Sequence, residues 1–173
     1  MVRDTPDRRS PRDVVQAFFF ADLCGYTEFT CRHGDDVGAD LALSFHHRAH
    51  ALAASERCHL VKSIGDAVMV RSDDCRRALC AAQRILALSA LEGYPRIRAG
   101  LDVGPAVERR GDWYGSTVNT AARIAEAARP GELLLSDRAR QALDDTPGLE
   151  MVGLGMWDLK GLPGLELHAA APA

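Results

Sequence analysis

No run of apolar residues in this 173-residue chain approaches the ~20 that a membrane-spanning helix needs, so a bilayer span is not expected. Nor does either charge dominate. With 21 basic residues against 24 acidic ones the net charge is −3, too balanced to supply the broad positive field that nucleic acid or an anionic lipid surface calls for. A polyanionic ligand must be gripped locally. No C-x-x-C pair occurs among Cys24, Cys31, Cys58, Cys75 and Cys80, and their odd number points to free thiols in a reducing cytosol. The opening MVRDTPDRRSPRD lacks the apolar segment of a signal peptide, and residues 1–13 read as a loose polar tail. Internal repeats and low-complexity segments are missing too. What remains is the expectation of one cytoplasmic globular domain over residues 14–173, long enough to bury most of its apolar surface without staples.

Against that plain background one stretch stands out. FFFADLCGYTEFT, Phe18 to Thr30, runs from a strongly apolar strand into a carboxylate and then a glycine. Alternation puts Phe18, Phe20 and Asp22 on one face, and a strand this buried carries a charge only where the charge is paired or holds a metal. Gly25 turns the chain and Thr27 is placed to cap a short helix, whose free amides would form an anion site beside Asp22.

An apolar stripe at Val37, Leu41, Phe45, Ala49 and Leu52 predicts a helix from Val37 to Ser55. HLVKSIGDAVMV then reads as a hairpin, Leu60 to Ile64 and Ala67 to Val70, with Gly65 and Asp66 at its tip and Lys62 on the face of Leu60 and Ile64. A second helix, from about Asp73 to Leu91, carries Leu79, Ala82 and Leu86, with RSDDCRR as its cap and solvated first turn. RIRAGLDVG alternates as a strand, and the chain turns back near Arg109 to Gly111. A helix from Ser116 to Ala128 follows, with Asn119 and Arg123 on one face and Val118, Ala122 and Ala125 on another. ELLLS, a short helix and two terminal strands, Met151 to Lys160 and Leu165 to Ala170, complete the pattern. The fold class is α+β: a ferredoxin-like βαββαβ sandwich with a C-terminal αβ extension, its helices on one face of an antiparallel sheet.

Asp22 and Asp66 fall at a strand end and at the tip of a hairpin that would pair beside it. Two such carboxylates repel unless divalent cations intervene, and hard oxygen donors favour Mg²⁺ or Mn²⁺. A solvated strand-end aspartate and a turn aspartate remain the alternative, which explains Asp66 well and Asp22 poorly. His46 and His50 stand one helical turn apart with no third ligand evident, and His47 beside them points to an exposed face. Trp113 reads as packing and Trp157 as core.

FFFADLCGYTEFT, VKSIGDAVMV and GDWYGSTVNTAARI, in that order, resemble the catalytic domain of the class III nucleotidyl cyclases, over roughly Gln16 to Ala170. The resemblance implies two metal ions, Mg or Mn, at Asp22, Leu23 and Asp66, with Gly25, Tyr26 and Thr27 binding substrate beside them. It implies base reading by Lys62 and Asp112, a pairing that matches ATP; guanine-selective members place a glutamate and a small polar or thiol residue there. Asn119 would orient the ribose, Arg123 would stabilise the charge at phosphorus, and Lys160 would sit near the triphosphate. In the family the metal aspartates and the other residues come from different subunits, so a homodimer with two composite sites is implied. The expected reaction is ATP to 3′,5′-cyclic AMP and pyrophosphate. A guanylate or relaxed-specificity cyclase and a non-catalytic nucleotide-binding module are the rivals. A diguanylate cyclase would need a G-G-[DE]-E-F hairpin, which SIGDAVMV does not provide.

Overall fold

The computed structural model describes residues 15–171, so the tail expected over residues 1–13 lies outside the described residues. The elements in chain order are β1 (Val15–Leu23), α1 (Tyr26–His33), α2 (Asp35–Ser55), β2 (His59–Ile64), β3 (Ala67–Ser72), α3 (Cys75–Leu91) and β4 (Ile97–Pro105). They continue with β5 (Val107–Arg109), β6 (Asp112–Tyr114), α4 (Ser116–Ala127), β7 (Leu133–Ser136), α5 (Asp137–Ala142), β8 (Met151–Trp157) and β9 (Leu165–Ala170). Seven strands form one sheet in the order β2-β3-β1-β4-β7-β9-β8, and β5 and β6 form a separate two-stranded arm. The first four of these strands with α2 and α3 make the expected βαββαβ unit. The extension joins through β4 and β7, which run parallel, in a sheet otherwise antiparallel.

β1 is central, and this accounts for its unbroken apolar run. Its Ala17, Phe19, Ala21 and Leu23 pack with Phe45 of α2, Ile85 of α3 and Ala139 of α5 in the main core. Phe18 and Phe20 face the other way, where Phe18 and Met69 are fully buried with Ala121 of α4. The helices therefore do not all lie on one face as expected: α2, α3 and α5 cover one side, and α4 alone covers the other. The reason is size. A Cβ built at Gly100 of β4 would lie 2.1 Å from the backbone nitrogen of Ala125, so α4 rests directly on the strand. Ala121 rather than Ala122 fills the buried face of that helix, and Ala122 is only half-buried.

Other expectations need correction in register. The buried stripe of α2 is Gly38, Ala42, Phe45, Ala49 and Ala53, while Val37 is 47% exposed. Phe45 and Ala49 are buried as expected and Leu41 and Leu52 pack against the same core, so the stripe differs only in taking Gly38 in place of Val37 and in adding Ala42 and Ala53. Thr27 does not cap α1. Gly25 holds the cap position in the left-handed region at φ 77 and offers no side-chain acceptor, so the helix begins at Tyr26. Asp74 caps α3, accepting from the amides of Arg76 at 2.8 Å and Arg77 at 3.3 Å. β8 ends at Trp157, which is half-buried at the edge of a core cluster with Leu159 and Leu167 and donates Nε1–H to the Leu154 carbonyl at 3.3 Å. Lys160 lies in the loop beyond β8, not on a strand. His46 is half-buried against Phe45, whereas His47 and His50 are exposed. The five cysteines are unpaired, and burial pushes the Cys75 thiol up to about 12.

Candidate active site

Strand register brings the two aspartates together. Asp22 sits opposite Ala67 of β3, the residue that follows Asp66 out of the hairpin turn, and opposite Arg98 of β4. Asp22, Leu23, Gly25, Tyr26, Thr27 and Asp66, six of the residues singled out in the sequence, line one cleft of about 330 Å³, with Arg98 beside them. Arg98 donates from Nη2 and Nε to Asp22 Oδ2 at 2.8 and 3.1 Å, and from Nη1 to the Glu126 carbonyl at 3.0 Å. Burial and then the charge of Asp22 push the Asp66 carboxyl up from 3.8 to about 6, with Arg98 pulling the other way.

This electrostatic conflict is what a hard cation relieves. The donors are carboxylate oxygens held by the end of β1 and by the turn between β2 and β3, and one of them is forced toward protonation at a pH where carboxylates are ordinarily charged. The cleft thus fits a magnesium- or manganese-type ion, for which Asp22 and Asp66 are the ligands at hand. Arg98 was missed in the sequence, although the signal was present. Ile97 and Ala99 face the main core, so Arg98 between them must share the opposite face with Asp22.

A second group is built on the arm. Lys62 Nζ lies 2.6 Å from Asp112 Oδ2, at the start of β6. That hydrogen bond is the main reason the Asp112 carboxyl is held below its usual range, and the Trp113 amide donates to its other oxygen at 2.8 Å. A bulge between Leu60 and Lys62 explains how the lysine gets there. Leu60 pairs with Val70, which faces the main core, whereas beyond the bulge Lys62 pairs with Met69, which faces the opposite side with Phe18, so Lys62 does not share the face of Leu60 as alternation implies. Trp113 packs within the chain, 5.6 Å from Phe18 between ring centroids, with the Arg71 guanidinium 5.0 Å from its ring.

The third group is carried by α4. Asn119 and Arg123 line a further cleft of about 320 Å³, and Lys160 enters it from the loop after β8. Arg123 Nη1 donates to both carboxylate oxygens of Glu126, at 2.8 and 2.6 Å. The close seat of α4 on Gly100 and the bond from Thr117 Oγ1 to the Pro105 carbonyl at 2.8 Å fix the helix that presents these residues. Among the described residues, the chain thus gathers the singled-out positions into three groups. It does not gather them into one cleft.

The model of the adenylate and guanylate cyclase catalytic domain matches residues 10–169. The chain belongs to that cyclase family. Among curated cyclase relatives, it is 37% identical over 163 residues to the pH-sensitive adenylate cyclase MT1302 of Mycobacterium tuberculosis, covering 88% of this chain and 39% of that protein. It is 38% identical over 121 residues to an adenylate cyclase of Streptomyces griseus, covering 69% of this chain and 30% of that one. The chain thus spans well under half the length of these relatives. In fold it matches the adenylyl cyclase CyaB of P. aeruginosa with a TM-score of 0.81 at 20% identity, over 92% of this chain and 94% of that one. The guanylate cyclase domain of RhGC from Catenaria anguillulae, solved with GTP, matches with a TM-score of 0.83 at 23% identity, over 93% and 98% of the two chains. Both solved cyclases carry the same arrangement of sheet and helices.

Proposed function

We propose that residues 14–173 form an adenylate cyclase unit that converts ATP to 3′,5′-cyclic AMP and pyrophosphate at two sites shared between a pair of identical chains. The observation that carries this reading is the separation of the groups. Asp22, Asp66 and Arg98 line one cleft, while Asn119, Arg123 and Lys160 line another. Each is half of the machinery the reaction needs, and a second copy placed head to tail completes both.

In such a site the ribose 3′-oxygen attacks the α-phosphorus in line, the bond from that phosphorus to the β-phosphate bridging oxygen breaks, and the 3′ proton leaves to water or a substrate oxygen. Asp22 and Asp66 would hold divalent cations, which when bound would neutralise the triphosphate and acidify the 3′-hydroxyl. Lys62 donates to an adenine ring nitrogen and Asp112 accepts from the amino group. The two are already braced against each other, which reduces the cost of ordering them. Asn119 holds the ribose, and Arg123 meets charge developing at phosphorus once it exchanges Glu126 for the phosphate. Arg98 and Lys160 face the leaving pyrophosphate. Positioning and charge neutralisation do most of the work.

The relatives named adenylate cyclase, at 37% and 38% identity, support the ATP reading. Among the described residues no helix is long and apolar enough to cross a membrane. The test is to incubate the purified chain with ATP and Mn²⁺ and resolve the products by chromatography. Cyclic AMP and pyrophosphate in equal amounts support the proposal. No turnover with either ATP or GTP would leave a nucleotide-binding module, and cyclic GMP as the main product would transfer the reading to guanine.

A further inference from the structure

Away from the cyclase clefts, where α5 meets β9, three side chains converge. Ser136 of β7 pairs with Leu167 of β9, and the next residue, Asp137, opens α5 beside that pair. Glu166 and His168 flank Leu167 and share the opposite face of β9. One ligand atom from each of Asp137, Glu166 and His168 lies within 4.8 Å of the others.

The histidine is what raises this above an acidic patch. His168 is 6% exposed, and its Nε2 is buried without a hydrogen-bond partner although it lies 3.3 Å from Asp137 Oδ1. A buried imidazole nitrogen left unmatched is costly, and such a group calls for a missing partner. The separation itself is informative: two ligand atoms each about 2.0–2.1 Å from a shared tetrahedral ion stand about 3.3 Å apart.

We propose that Asp137, Glu166 and His168 form a second divalent-cation site, of zinc class, that pins the first turn of α5 to β9. One imidazole and two carboxylates suit zinc, with water as the fourth ligand, whereas the all-oxygen pair of Asp22 and Asp66 suits magnesium or manganese. Arg140 Nε donates to Asp137 Oδ1 at 2.9 Å and Gln141 Nε2 donates to Oδ2 at 2.6 Å. Arg140 also donates from Nη1 to Asp144 at 2.6 Å, so it keeps a carboxylate partner when an ion takes Oδ1. The site stands independently of the cyclase reading.

The test is calorimetric titration of Zn²⁺ into the full chain, stripped of metal, alkylated at its accessible thiols and held in excess Mg²⁺ to occupy the hard-oxygen pair. The wild type and an Asp22→Asn/Asp66→Asn variant are expected to bind one zinc per chain. Loss of even an outer-shell partner weakens metal sites about 10–100-fold, so Glu166→Gln, a change at an exposed position, is expected to weaken binding at least about tenfold. Zinc is likewise expected to raise the melting temperature of the wild type more than that of Glu166→Gln at the same concentration. Absence of saturable zinc binding in the wild type, or equal affinity in Glu166→Gln, overturns the proposal.

Discussion

Asp66→Asn is expected to stabilise the metal-free chain while abolishing its turnover. The carboxyl of Asp66 is raised from 3.8 to about 6, chiefly by burial and by Asp22. The folded state therefore holds this proton about 100-fold more tightly than the unfolded state, a difference of about 3 kcal/mol before screening. Asp66 is only half-buried, so solvent and salt reduce the net effect to about 1 kcal/mol. Because the shift is upward for an acid, folded stability falls as pH rises between about 4 and 6, and the full penalty is present above that window. The amide in Asp66→Asn carries no charge, so its advantage over wild type is expected at pH 8 and vanishes near pH 4. Urea unfolding in EDTA at the two pH values measures this. Saturating Mn²⁺ is then expected to reverse the order, since a ligand at 100 times its Kd adds about 2.7 kcal/mol to the wild type alone. A variant that is less stable than wild type at pH 8 in EDTA would refute the burial and repulsion that raise the Asp66 carboxyl.

Two further substitutions probe other parts of the site. Gly100→Ala forces a Cβ to within 2.1 Å of the Ala125 nitrogen, so α4 must lift, with a loss of about 1–3 kcal/mol by thermal denaturation and a fall in kcat as Asn119 and Arg123 shift; unchanged stability would show that α4 does not sit so close. Lys62→Glu combined with Asp112→Cys is expected to move the ATP to GTP ratio of kcat/KM toward GTP by about 1–3 kcal/mol, or roughly 5- to 150-fold; an unaltered ratio would remove these residues from base reading.

The elements of the βαββαβ unit were legible because their cues are local: the Gly65-Asp66 turn, the capping segment RSDDCRR and the apolar runs of β1 and β4 are written within a few residues. The pairing of Asp22 with Asp66 followed from the same cues once the strands were placed side by side. What escaped depended on packing between distant segments. The burial of α4 on the far face rests on the missing side chain of Gly100, which carries no hydrophobic signal, and on α2 the sequence stripe includes Phe45 and Ala49 but passes over Gly38, Ala42 and Ala53, whose small side chains give little signal. Simple alternation failed at Lys62 because a bulge shifts the register, and bulges leave little trace in a single sequence. Arg98 was within reach of alternation, but its meaning appears only when Asp22 lies across from it. His168 reads as an ordinary strand residue until α5 folds over it.

Sharing of each site between two copies is decided by mixing Asp22→Ala chains with Arg123→Ala chains. Each variant alone is expected to be inactive, because every site it forms lacks either a metal ligand or the phosphate-facing arginine. In the mixture a heterodimer contains one site with both residues intact, so up to about a quarter of wild-type activity should return when subunits exchange freely. Two inactive variants whose mixture stays inactive despite demonstrated heterodimer formation, or a monomeric wild type with full turnover, would show that the sites are not shared between chains.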